Sequence, residues 1–108
     1  MTTRTRLRAA DVVSETDFQQ TVIKMARALG WRVYHTHDSR RSDPGFPDLC
    51  MVRDGQLRFM ELKSEKGNLT PAQAQWLSAF SWVAAHNDGI HAGLFRPSDM
   101  ERIKAMLT

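Results

Sequence analysis

Three ionisable side chains pose the chemical question in this chain. Asp48 lies before an Asp54-Gly55 dipeptide and Glu61 and Lys63 lie after it, within two apolar runs, 48–53 and 56–63. Asp-Gly between such runs is a strong signal for a two-residue type I′ hairpin, in which both central residues take positive φ. With Asp54 and Gly55 as the turn, Arg53 pairs with Gln56, and counting outward sets Asp48 opposite Glu61. Opposed residues of an antiparallel pair hold their Cβ atoms about 4.5–5.5 Å apart on one face. Lys63 lies two residues beyond Glu61, so strand alternation returns it to the same face. Two carboxylates and an ammonium therefore gather at the open end of the ribbon.

Carboxylates at that distance repel unless they share a proton or a cation. Oxygen ligands so spaced suit Mg²⁺ or Mn²⁺, which keep waters for substrate. A lysine beside such an ion orients or deprotonates an attacking water and balances charge on a phosphate. This is the equipment of metal-dependent phosphodiester hydrolysis. The plainer reading makes Asp48 a turn residue after Pro47 and Glu61 and Lys63 a solvated strand edge. Against it, Glu61 and Lys63 share a run with Leu57, Phe59 and Met60 that is patterned for burial, and buried charges are rarely left unpaired.

The elements that must position these residues can be read along the chain. Residues 1–13, with alternating Thr and Arg and no apolar period, form a flexible or loosely docked basic arm before a domain at 14–108. Ser14 is a helix N-cap with Asp17 as capping-box partner, and Phe18, Val22, Met25, Ala26 and Leu29 recur at helical spacing over 15–29. Gly30 closes that helix, and the aromatic, β-branched stretch 31–37 favours a strand. Pro44, Gly45 and Pro47 make 38–47 a loop. Thr70, Pro71 and Gln73 open a helix as N-cap, N1 proline and capping-box partner, with a buried stripe of Trp76, Leu77, Phe80, Val83 and Ala84. A strand at 92–95 and a helix at 98–107 finish an α-β-β-β-α-β-α order. Leu49 and Met51 alternate with Cys50 and Val52, so the sheet is expected to be mixed and covered by helices on both sides.

Composition narrows the function classes. The chain has 108 residues, 42% hydrophobic and 25% charged, as expected of one folded domain rather than a disordered tail. No apolar run reaches the roughly 18 residues of a membrane helix. The lone Cys50 has no internal bridging partner, which fits a reducing cytosolic setting, and it has no adjacent base to make it a nucleophile. A net charge of +3 leans toward nucleic acid. Ser39, Arg40, Arg41 and Ser42 precede the acidic pair and are placed to hold a phosphate backbone. His35 and His37 share a strand face; they lack partners at zinc spacing and are read as a packed pair, with phosphate contact by His37 the second reading. Trp31, Trp76 and Trp82 are assigned to core or dimer contacts.

Pro47-Asp48 followed by Glu61-Leu62-Lys63 resembles the PD-(D/E)xK nuclease signature, and the element order resembles that superfamily's restriction-endonuclease-like α/β core. Gly30-Trp31, Tyr34-His35-Thr36, Asp38-Ser39-Arg40, Gly45-Phe46-Pro47-Asp48-Leu49, Glu61-Leu62-Lys63 and Thr70-x-x-Gln73 together resemble the VRR-NUC family, in particular its compact stand-alone phage and bacterial forms. The resemblance implies that Asp48, Glu61 and the Leu62 carbonyl bind Mg²⁺ or Mn²⁺, that Lys63 acts on the attacking water, and that Gln73 bonds near the phosphate or lysine. It implies that Glu15 completes the acidic cluster, directly or through water. Glu15 equally suits a helix dipole and Gln73 a capping box, so both roles stay open. The implied activity is an endodeoxyribonuclease cutting branched DNA such as four-way junctions, as a homodimer in the cytoplasm of a bacterial or phage-infected cell. The alternatives are a non-catalytic DNA-binding module of the same fold and a sequence-specific restriction-type nuclease.

Overall fold

Asp54 and Gly55 take φ of 49° and 79°, the paired positive angles of a type I′ turn. The hairpin they close belongs to a computed structural model that describes residues 9–37 and 42–108. Its elements are α1 (Glu15–Ala28), β1 (Arg32–His35), β2 (Leu49–Arg53), β3 (Gln56–Leu62), α2 (Pro71–Ala85), β4 (Ile90–Phe95) and α3 (Met100–Leu107), the expected order. Short 3-10 turns occupy Ala9–Val12 and Pro97–Asp99. Ser14 Oγ accepts the Asp17 amide at 3.0 Å to start α1, and Gly30, at φ +90°, follows its C-cap.

The described strands form one sheet in the order β1-β2-β3-β4, antiparallel across the first three and parallel between β3 and β4. Register runs from Arg53↔Gln56 to Leu49↔Met60, so Asp48 and Glu61 are the next positions beyond the last pair, as counted from the turn. One face is closed. Leu49, Met51, Met60, Leu62 and Phe95 pack there against Phe18, Val22 and Ala26 of α1 and Ile103 and Leu107 of α3.

The other face departs from expectation. The predicted stripe of α2 is not buried: no α2 side chain is fully covered by the described residues, and Val83 is exposed. The reason is placement. α2 lies over β4 and the adjoining part of β3, with Phe80 stacked on Phe59, and leaves the β1–β2 half of that face open. Tyr34 there is 64% exposed, and Val52 is also exposed. Helices thus cover one face fully and the other in part. Of the expected arm, Ala9–Val12 forms a turn and Val13 packs against the core, while 1–8 lie outside the described residues.

Candidate active site

Asp48 is held by its backbone before its side chain does anything. It sits in a bend just ahead of β2, and its carbonyl accepts the Thr36 amide at 2.8 Å. Thr36 Oγ1 donates to the carbonyl of the buried Pro47, also at 2.8 Å. Two residues earlier, Gly45 has φ +91°, and a Cβ there would fall 2.4 Å from the Ala72 carbonyl carbon. Only glycine lets the loop approach the first turn of α2 so closely. Phe46 locks the contact edge-on against Phe59, Trp76 and Phe80. The Asp48 carboxylate then continues the hairpin's hydrogen bonding, its Oδ2 accepting the Leu62 amide at 2.7 Å.

Glu61 is the most deeply buried charge of the site, at 1% exposure. Its Oε2 lies 3.6 Å from Lys63 Nζ and accepts a long hydrogen bond, 3.4 Å, from Gln73 Nε2. Its Oε1 is buried with no hydrogen-bond partner among the described residues. Burial, and then the neighbouring Asp48 carboxylate, push the Glu61 carboxyl up to about 8 against the pull of Lys63. An acceptor-only oxygen buried beside a second carboxylate is satisfied by a proton or a cation and by little else. The donor set thus fits a small divalent ion, with Asp48, Glu61 and the Leu62 carbonyl as oxygen ligands. Among the described residues no three His, Cys, Asp or Glu side chains converge to hold an ion by themselves.

Glu15 reaches the same cluster, its Oε1 4.0 Å from Lys63 Nζ and its charge felt at Glu61. The two readings of Gln73 are compatible because its amide has two ends: Oε1 accepts the Thr70 amide at 2.9 Å in the capping box, while Nε2 faces Glu61. Glu15 and Gln73 stand in the first turns of α1 and α2, so two helix N-termini, each with partial positive charge, open on the site.

A cleft of about 670 Å³ lies in front, and its lining includes Glu15, Thr36, His37, Ser42, Asp48 and Gln73. His37 packs beside His35, ring centroids 4.9 Å apart. Ser39, Arg40 and Arg41 lie outside the described residues. Burial pushes the Cys50 thiol up, away from the thiolate a nucleophile needs. Thr36 entered the sequence reading only as part of the Tyr34-His35-Thr36 motif, with no role; the fold makes it the clamp on Pro47 and Asp48.

The sequence profile of the VRR-NUC domain matches residues 4–87, a stretch that contains Glu15, Asp48, Glu61, Lys63 and Gln73. A solved structure described as "VRR_NUC domain" superposes with a TM-score of 0.63 over 86% of this chain and 97% of that one, at 21% identity, a likeness of fold. No curated protein matches. With that profile matching most of its length, the chain belongs to the VRR-NUC domain family, a family of nuclease domains acting on DNA.

Proposed function

We propose that the protein is a divalent-cation-dependent DNA endonuclease, selective for branched DNA such as four-way junctions. The observation that carries this reading is the buried, unpartnered Glu61 Oε1, on a carboxylate whose Oε2 faces Lys63 and whose neighbours Asp48 and Gln73 line an open cleft. Mg²⁺ or Mn²⁺ held by Asp48, Glu61 and the Leu62 carbonyl would supply a Lewis acid for the scissile phosphate. The chain's own residues do the rest. Lys63 holds the attacking water and places positive charge where negative charge develops on phosphorus. Gln73 fixes Glu61, and Glu15 holds the ammonium from its other side. His37, Ser42 and the basic loop through Ser39, Arg40 and Arg41 receive the phosphate backbone. Water adds to phosphorus in line, one P–O ester bond breaks, and the leaving oxygen takes a proton.

The test is cleavage of a labelled four-way junction beside linear duplex and single strand, with Mg²⁺, Mn²⁺ or chelator. Paired, metal-dependent cuts near the branch, lost in Lys63→Ala, are expected. Tight junction binding without cleavage in either metal would make the domain a binding module.

A homodimer offers two equivalent sites for two strands. It is supported by Trp82, 72% exposed on a helix that is apolar on every side. Trp82→Glu is expected to halve the mass seen by light scattering; a wild type already monomeric with junction DNA bound would end the dimer reading.

A further inference from the structure

We propose that Arg96 is the positioning residue for Lys63, acting through the loop that joins β3 to α2. The proposal rests on the nuclease reading only for its kinetic consequence; the geometry stands without it. Lys63 directly follows β3, and its amide donates to the Phe95 carbonyl at 3.1 Å, so Arg96 is the residue just past the end of β4. From there one nitrogen of its guanidinium, Nη1, shares its two N–H among three carbonyls of the loop: those of Ser64 at 2.7 Å, Glu65 at 3.0 Å and Gly67 at 2.7 Å.

That loop lies on the lysine. A Cβ at Gly67 would sit 3.6 Å from both Cβ and Cδ of Lys63, so the loop passes beside the lysine stem with room for no more than a methyl group between them. The stem is thereby covered while its ammonium stays between Glu61 and Glu15. Arg96 is itself fixed, its amide donating to Asp99 Oδ2 at 2.8 Å. A second strap runs the other way: Glu65 carboxylate oxygens accept from the Ser98 amide at 3.1 Å and from the Ser98 hydroxyl. The 3-10 turn after β4 and the loop after β3 thus hold each other, and Lys63 lies under the joint.

Lysine at 96 cannot reproduce this. Its ammonium is a compact, strongly hydrated point charge, whereas the planar guanidinium reaches several carbonyls from one fixed orientation. With the guanidinium gone, the loop relaxes and the Lys63 stem regains rotamers. A displacement of about 1 Å at a reacting group costs on the order of 10²-fold in rate.

The experiment compares wild type, Arg96→Ala and Arg96→Lys in two assays, at a temperature where circular dichroism shows each folded. In single-turnover cleavage at saturating junction DNA, Arg96→Ala is expected to lose about 10–100-fold in rate with junction affinity held within about twofold. Arg96→Lys falls between it and wild type. In the second assay a small amine-reactive ester labels lysines, read by peptide mass spectrometry with Lys24 and Lys104 as controls. Lys63 is expected to label several-fold faster in Arg96→Ala, the controls unchanged. Wild-type labelling of Lys63 in the folded variant overturns the proposal, as does a loss of affinity equal to the loss of rate, which would make Arg96 a DNA contact. If wild type cuts no DNA, the nuclease reading fails while labelling still decides this one. Should Arg96→Ala not fold, Arg96→Lys carries both assays.

Discussion

Arg58 and Glu61 are buried charges on one strand, three residues apart and on opposite faces of the sheet, and the protein treats them in opposite ways. Arg58, 7% exposed, spends every nitrogen inside the fold. Its Nε donates to the Met106 carbonyl at 3.4 Å, Nη1 to those of Leu57 and Gly89, each at 3.2 Å, and Nη2 to Gln56 Oε1 at 3.1 Å. The guanidinium also stacks over Trp31, 5.1 Å from the ring centroid. Glu61 is buried more deeply and keeps an oxygen with no partner among the described residues. Burial of charge is costly in both places. At Arg58 the interior meets that cost with acceptors; at Glu61 it leaves one carboxylate oxygen without a donor among the described residues. Burial alone therefore does not mark the site, and unmet burial does.

The contrast breaks most sharply on activity. Lys63→Ala is expected to lower cleavage by about 10³-fold or more, since it removes the group we propose acts on water and phosphate together, while the domain stays folded. Arg58→Met should do the reverse. It removes the Arg58 donor from the Met106 carbonyl at the end of α3 and from Gln56 Oε1, while the Gly89 carbonyl keeps the Leu57 amide, and is expected to cost about 3 kcal/mol. In a domain of this size that lowers Tm by roughly 12 °C or more. Cleavage per folded molecule stays near wild type. Scanning calorimetry and a cold cleavage assay read the two effects apart. Loss of cleavage in folded Arg58→Met would abolish the distinction between the two charges.

What was legible in the sequence was local. Asp54-Gly55 fixed its own dihedral angles and, through them, the register that sets Asp48 and Glu61 side by side. Thr70, Pro71 and Gln73 wrote the start of α2 in the same way. The resemblance carried by Asp48, Glu61 and Lys63 supplied roles that spacing alone left open. What was not legible depends on which surfaces meet. Helical spacing set Phe80 in the α2 stripe and Trp82 outside it, but it could not say that α2 would lie over β4 and leave Val83 of that stripe exposed. The clamp of Thr36 on Pro47 and Asp48 joins residues eleven and twelve apart across a loop and has no local signature. The resemblance put Glu15 with the carboxylates but could not say that its nearest charge would be the Lys63 ammonium. Arg58 reads as an ordinary strand charge until α3 folds back to accept its hydrogen bonds.

The smallest effect is the most diagnostic, because it turns on a proton. The Glu61 carboxyl is raised from its ordinary 4.5 to about 8 by burial first and by Asp48 second. The folded protein therefore binds this proton more tightly than the unfolded chain. The stability it lends is fully present below about pH 4.5 and is lost as pH rises through 8. Without metal, the Glu61 contribution to Tm is expected to fall across that window. A divalent ion binds the ionised pair in place of the proton, so the rise in Tm that Mg²⁺ or Mn²⁺ produces should grow with pH over the same range. Glu61→Gln removes the titrating group and gives Asp48 an amide donor in its place. It is expected to raise the metal-free Tm at pH 8 by roughly 5 °C, about 1 kcal/mol, and to abolish the metal-induced shift. Arg58→Met, lower in Tm throughout, should keep both the slope and the metal response. If the slope survives in Glu61→Gln, Glu61 is not the group that holds the proton, and the two buried charges differ less than their hydrogen bonds imply.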